Sequence, residues 1–288
     1  MIKMEKILSG KPAMLHYVEQ VKARVSALQE KGITPGLCVV WVGEDPSAES
    51  YGASIRRRAE MVGVQLTTVN LPASSTAEEV CACIDALNAD ASVHGVLLYL
   101  PLPGALHGYE DVICARLDPQ KDVDGVTAAS AAALYLGEKG GFAPCTAEAC
   151  LRLLEYYEVP LAGKTACVVG RSRVIGKPAA MLLLGKNATV TVAHSKTAEL
   201  AAVTRQADVL IAAAGCAGLI TGSHVKPGAV VVDVGANWQD GKMVGDVLFD
   251  EAEAVAGAIT PVPGGVGMVT STVLMEHVVT AAEHFAEH

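Results

Sequence analysis

The stretch from Ala166 to Pro178 limits what this chain can fold into more than any other. An apolar run, Ala166 to Val169, breaks at Gly170, and after Gly176 a helical pattern begins with Met181, Leu182, Leu183 and Leu184. Strand, glycine turn, helix belongs to folds whose parallel strands are covered by helices, and it aims backbone N–H groups and a helix N-terminus at one spot. Such a spot suits an anionic phosphate. The spacing is G-x-S-x-x-x-G rather than the usual G-x-G-x-x-G. The motif alone therefore leaves two readings open, a phosphate cradle or a tight turn that binds nothing.

The 288 residues suffice for about two domains. Hydrophobic residues make up 51% of the chain and aromatic ones 4%, so the cores are built from Val, Ala, Leu and Ile, which favours α/β layers. Apolar runs such as Val230-Val231-Val232 fall far short of the ~20 residues that span a bilayer. Met1 to Lys6 lacks the apolar segment of a signal peptide. A cytoplasmic protein with no membrane partner is expected. The eight cysteines form no C-x-x-C pair, which reads as buried thiols and no metal site. A formal charge of −9 argues against nucleic acid as a partner. Local cations must then hold any anionic ligand, and two basic runs stand out: Arg56-Arg57-Arg58, and Arg171 with Arg173.

Leu15, Val18, Val21, Val25 and Leu28 recur at helical spacing and predict a first helix over 12–31. Strands are predicted over 36–42, 64–71 and 93–100, with helices from Asp45-Pro46-Ser47 to Gly63 and over 76–88. This half reads as one βαβαβ unit. Pro101-Leu102-Pro103 ends the third strand, since proline cannot donate to a ladder. The acids of the loop Asp118 to Gly125 read either as a solvated turn or as a carboxylate aimed into a cleft. A helix over 146–157 leads to strands at 165–169, 189–193, 208–213 and 229–234, which predicts a doubly wound, Rossmann-like parallel sheet. Gly235-Ala236 follows the last of them, at the end where such sheets keep their ligand crevice. A second glycine-rich loop, Pro261 to Gly267, precedes a closing helix over 268–285.

A dinucleotide site of the usual kind carries an acid about twenty residues past the glycines, for the ribose hydroxyls. Here the second strand of that sheet ends in His194-Ser195-Lys196-Thr197. Hydroxyls and a lysine suit a 2′-phosphate, and Arg171 can add a charge-assisted bond. NADP is therefore favoured over NAD, with Gly170, Arg171, Ser172, Ile175, Ser195, Gly235 and Ala236 as candidate cofactor residues. The plain alternative makes Arg171 and Arg173 solvated turn residues.

Several stretches now stand together. They are Gly43-Glu44-Asp45-Pro46-Ser47 with Ser50-Tyr51, Leu100-Pro101-Leu102-Pro103, Lys121-Asp122-Val123-Asp124-Gly125, Pro144-Cys145-Thr146, Gly170-Arg171-Ser172 with Gly176-Lys177-Pro178, Gly245-Asp246-Val247, and Pro261 to Gly267. In this order, across nearly the whole chain, they resemble the methylenetetrahydrofolate dehydrogenase/cyclohydrolase family. The resemblance implies an N-terminal αβα folate-binding domain, residues 1–145, against which the closing helix 268–288 packs back. It implies a Rossmann-like NAD(P) domain, residues 146–267, in a protein that is usually a homodimer. Its substrates are tetrahydrofolate one-carbon derivatives. Asp124 matches the aspartate that holds the pterin, and Tyr51 the tyrosine that stacks beside the folate, although a core tyrosine is the plain reading of Tyr51. With Tyr99 these form the implied catalytic set; Leu100, Pro263, Gly264 and Gly265 complete the implied substrate site.

The chain departs from the family at the residues that hydrolyse the methenyl product. The family has a lysine four residues after the tyrosine and a glutamine before Leu-Pro-Leu-Pro; here those positions are Ile55 and Tyr99. Isoleucine has no proton to exchange, and general-base help is typically worth ~10²–10⁴-fold. Arg56 lies about 100° around the helix and stays protonated. The pair is similar to the family's monofunctional dehydrogenase branch, so an NADP-dependent dehydrogenase with weak or absent cyclohydrolase activity is expected. The rivals are a bifunctional enzyme in which another group replaces the lysine, and a non-catalytic folate- or dinucleotide-binding regulator. Met268 and Val269 also replace the family's Pro-Met, which bears on the folate tail. Arg56-Arg57-Arg58 reads as a contact to that tail or, in preference, as a solvated helix face.

Overall fold

The computed structural model describes residues 5–43, 46–138 and 140–286. Met1 to Met4 and the Glu44-Asp45 pair, on which part of the sequence reading falls, lie outside the described residues. In chain order the elements are α1 (Gly10–Glu30), β1 (Gly36–Val42), α2 (Pro46–Val62), β2 (Gln65–Leu71), α3 (Ala77–Ala89), β3 (Gly95–Leu98), α4 (Glu110–Cys114), α5 (Ala128–Leu136) and α6 (Cys145–Tyr156). They continue with β4 (Thr165–Val169), α7 (Gly176–Gly185), β5 (Thr189–Ala193), α8 (Leu200–Thr204), β6 (Val209–Ala212), β7 (Val230–Asp233), β8 (Asn237–Gln239), β9 (Lys242–Val244), α9 (Phe249–Val255), β10 (Ala258–Ile259) and α10 (Gly267–Ala286). The chain divides into two compact units, residues 16–145 with 271–288 and residues 1–15 with 146–270.

The first unit holds a parallel sheet in the order β2-β1-β3. Every residue of β3 is buried and β1 is buried over its first five, as expected of strands covered on both faces. Val80 and Ile84 of α3 meet Val40, Val96 and Leu98 in the core. Thr76 and Glu79 form a capping box at the start of α3, satisfying two donors that the helix cannot. At its other end Lys121 Nζ donates to the carbonyls of Leu87, Asn88 and Asp90 at 3.0, 2.8 and 2.7 Å. Arg24 of α1 reaches Glu283 and Thr280 of α10 at 2.6 and 2.7 Å.

The second unit holds a parallel sheet in the order β10-β7-β6-β4-β5. Read from β5, this is the 2-1-3-4-5 order of a doubly wound fold. Sequence reading ended the sheet at the strand over 229–234; β10 adds a fifth strand, paired to β7 through Ala258 and Ile259. Two residues are too few for a periodic signal. Leu8 N donates to Ile259 O, and Ile259 N to Lys6 O, both at 2.8 Å. The first residues thus cluster with this unit, whereas sequence reading grouped them with the first. The β8–β9 hairpin was also missed. It turns on Asp240 and Gly241, whose φ angles of 51° and 72° suit a type I′ turn.

Both sheets share one topological device. From β1 the chain builds β2 on one side and β3 on the other; from β4 it builds β5 and then β6. The carboxyl ends of β1 and β3, and of β4 and β6, are the switch points at which open α/β sheets hold ligands. Among the described residues no helix is long and apolar enough to cross a membrane.

Candidate active site

Aromatic rings line the first unit's switch point. Trp41 lies near the end of β1, and Tyr99 follows β3 with its N–H on Val40 O at 3.0 Å. The ring centroids of Trp41 and Tyr99 are 4.6 Å apart, and those of Tyr99 and Tyr51 6.4 Å. Burial, then the proximity of Asp124, Cys145 and Tyr99, raises the Tyr51 phenol well above its ordinary 10, so Tyr51 keeps its proton and remains a donor. Ile55, one turn along α2, is wholly buried. Leu100, beside Tyr99, packs partly against the apolar core and stays half-buried.

The acidic loop divides its labour residue by residue. Lys121 caps α3, as described. Asp122, also buried, accepts from Val126 N and Thr127 N at 2.9 Å each and from Ser130 Oγ at 2.6 Å. That carboxylate fixes the start of α5. Asp124 is held far more loosely, by the Cys145 N–H at 3.3 Å and the Cys145 thiol. Its carboxyl is raised above the usual range chiefly by burial, against the opposing pull of Cys145 and His277. Lone pairs remain for a ligand's N–H groups. Behind it, His277 Nδ1 lies 2.8 Å from Val123 O, and its ring 4.8 Å from that of Phe142. Sequence reading missed both Trp41 and His277; a tryptophan in a strand and a histidine on an apolar helix face carry no functional signal by themselves.

The basic run at 56–58 splits. Arg56 and Arg57 are exposed, as a solvated face requires, but Arg58 is buried, with Nε 3.4 Å from Ser271 Oγ. Desolvation, then Arg57, lowers its pKa.

In the second unit the candidate cofactor residues gather at the carboxyl ends of adjacent strands. Gly170 N donates to Ala193 O, and Ala213 N to Val169 O, at 2.8 Å each. These bonds set the glycine turn beside the His194–Thr197 turn on one side and the end of β6 on the other. Gly170 has φ 131°, and a Cβ there would collide with Ala213 O. Ser172 Oγ accepts from Ile175 N and Gly176 N at 3.1 and 3.2 Å, closing the turn just ahead of α7. Arg171, Arg173, Ser195 and Lys196 are exposed, and Ile175 half-buried. The arrangement has the parts of a dinucleotide cradle: a glycine turn, a helix start, and cations and hydroxyls at its rim.

Two buried carboxylates brace that end of the sheet. Asp246 accepts from Ala214 N, Gly215 N and Cys216 N at 2.6, 2.9 and 2.9 Å, and from Asn237 Nδ2 at 2.9 Å. Asp233 accepts from Gly235 N, Asp246 N and Val247 N at 2.9, 3.0 and 3.1 Å. Burial pushes the Asp233 carboxyl up to about 6 despite those donors. A Cβ at Gly235 would collide with Asp246, so Gly235 is fixed by packing; Ala236 beside it is exposed. In the second glycine loop, Gly264 O accepts from Gly10 N at 2.7 Å, and a Cβ at Gly265 would stand 2.6 Å from Pro261 O. Pro263, after a cis peptide, is exposed, and Val269 is wholly buried. No group of three or more His, Cys, Asp or Glu among the described residues is placed to hold a metal.

The family model described as "Tetrahydrofolate dehydrogenase/cyclohydrolase, catalytic domain" matches residues 8–124, and the one described as "Tetrahydrofolate dehydrogenase/cyclohydrolase, NAD(P)-binding domain" matches residues 144–286. The "Bifunctional protein FolD" of Lactobacillus helveticus is 45% identical over 276 residues, covering 96% of this chain and 97% of its own. The crystal structure of the bifunctional FolD dehydrogenase/cyclohydrolase from Campylobacter jejuni is 41% identical and superposes with a TM-score of 0.92, covering 96% of this chain and 98% of its own. The Trypanosoma brucei dehydrogenase-cyclohydrolase, solved with NADP cofactor and an inhibitor, is 33% identical with a TM-score of 0.91, covering 98% of both chains. With both halves matched in order over a shared two-unit α/β fold, the chain belongs to the tetrahydrofolate dehydrogenase/cyclohydrolase family.

Proposed function

We propose that the chain oxidises 5,10-methylenetetrahydrofolate to 5,10-methenyltetrahydrofolate with NADP, and hydrolyses the product weakly or not at all. One observation carries the reading: Asp124, a carboxyl with acceptor capacity left, stands at a switch point walled by Tyr51 and Tyr99. Asp124 accepts from the N–H and amino groups of the pterin, and Tyr51 offers a ring face and a hydroxyl donor. Little acid–base help is needed, because the nitrogens flanking the methylene carbon stabilise the developing cation; the protein chiefly aligns donor and acceptor.

NADP, when bound, supplies the hydride acceptor. Gly170, Ser172 and Ile175 frame the turn and helix start that meet its diphosphate, Arg171 and Ser195 suit the 2′-phosphate, and Gly235 and Ala236 border the same strand ends. The NADP-bound Trypanosoma brucei relative supports the choice of cofactor.

Hydrolysis asks for a base that can take a proton from water. Tyr51 is protonated, Ile55 has no polar atom, and Arg56 is a permanent cation. A second reading, retained hydrolysis with another group or a bound water in the lysine's role, is favoured by the bifunctional relatives. A single assay separates the two: NADPH formation from methylenetetrahydrofolate and hydrolysis of methenyltetrahydrofolate, each with NADP and with NAD, corrected for the uncatalysed rate. Dehydrogenation without hydrolysis is expected. Comparable rates sink the monofunctional part, and no NADPH sinks the whole. The proposal extends to a cytoplasmic homodimer with neither nucleic acid nor membrane as a partner.

A further inference from the structure

No motif assigns Trp41 a role, yet three features converge on it. Its indole packs on Tyr99 with ring centroids 4.6 Å apart and planes tilted 39°. The Tyr99 ring in turn approaches Tyr51 at 6.4 Å. Gly52, next to Tyr51 on α2, gives the indole its room: a Cβ at 52 would stand 3.1 Å from Trp41 Cζ2 and 3.5 Å from Cη2. Trp41 and Tyr99 come from the ends of adjacent parallel strands, at the switch point itself. A tyrosine on a strand end has rotamers to choose from, and an aromatic neighbour on one face removes most of that choice.

We propose that Trp41 is a positioning residue: it holds Tyr99 beside the turn of α2 that carries Tyr51 and Ile55, closing the space that a base and its water would occupy. The proposal rests on the dehydrogenase reading above. It makes the loss of hydrolysis a property of four positions, 41, 52, 55 and 99, rather than of the missing lysine alone.

The test begins with dehydrogenation by the unaltered chain; without it, that reading fails and this one with it. Given dehydrogenation, Trp41→Leu is expected to raise KM for methylenetetrahydrofolate roughly two- to twelve-fold, the span set by losing one aromatic pair. KM for NADP stays fixed, and Trp41→Phe restores most of the loss. In an Ile55→Lys chain, adding Trp41→Leu is expected to raise methenyltetrahydrofolate hydrolysis by about tenfold or more, as a freed general base allows. Equal hydrolysis with and without Trp41 overturns the proposal. Should Trp41→Leu fail to fold, the Trp238→Phe chain leaves Trp41 as its sole tryptophan, the sequence having two. Tetrahydrofolate is then expected to change Trp41 emission, and Gly52→Ala to weaken that response; unchanged emission on saturation overturns the proposal.

Discussion

Tyr51 and Ile55 stand one turn apart on α2, the first half-buried with its hydroxyl held protonated, the second without accessible surface. The family's lysine position is thus part of the apolar packing. Ile55→Lys alone is expected to restore little hydrolysis while Tyr99 fills the neighbouring space, and Ile55→Lys with Tyr99→Gln to restore more. A buried ammonium without a partner also costs several kcal/mol, so the single variant should unfold at lower urea. Hydrolysis of methenyltetrahydrofolate beside a urea titration reads both effects.

Asp122 and Asp124 are two residues apart and should fail in opposite ways. Asp124→Ala removes a charged acceptor, a loss of about 1.5–3 kcal/mol, and is expected to lower kcat/KM for the folate ~10- to 150-fold with little change in the thermal midpoint. Asp122→Ala strands three donors and is expected to lower the midpoint by several degrees while sparing KM for NADP. Steady-state kinetics and thermal melts on the two variants make the comparison.

Arg171→Ala and Ser195→Ala are expected to lower kcat/KM for NADP by about tenfold each, the weight of a charge-assisted bond, and to leave NAD nearly unaffected. The measured quantity is the NADP/NAD ratio of kcat/KM. A ratio that does not move removes both residues from the 2′-phosphate site.

Asp233 has its carboxyl pushed up to about 6 from an ordinary 3.8. Between those values the folded chain holds a proton that the unfolded chain has released. This group therefore lends stability below pH 4 that is lost as pH rises through 6, by about 3 kcal/mol in all. Asp233→Asn should flatten that part of the stability–pH curve and leave the Val247 N–H facing an amide donor, for a further loss of about 1–3 kcal/mol. Urea titrations from pH 4 to 8 on both proteins measure the slope.

Most of the fold was legible where a long segment repeats one period, and the missed elements share physical reasons. Helix α5 is nearly all alanine and leucine, exposed along most of its length, so no amphipathic stripe marks it. Strand β10 is two residues long. The β8–β9 hairpin did carry a signal, Asp240-Gly241, of the kind that type I′ turns favour. In the site, the glycine turn and Asp124 could be located from sequence. The separate duties of Lys121, Asp122 and Asp124 could not, because they depend on which carbonyls and N–H groups end nearby. Trp41 is meaningful only once Tyr99 and Gly52 are seen around it.

The contact between Gly170 and Ala213 has a consequence for redesign. A side chain at 170 would strike the Ala213 carbonyl, so on the NADP reading proposed above this one position can meet a dinucleotide only through peptide groups common to every protein, which cannot tell one from another. On that reading, affinity and discrimination fall to different atoms. A chain re-tuned from one nicotinamide carrier to the other should acquire its substitutions at the rim, at 171 and 195, with the turn left untouched.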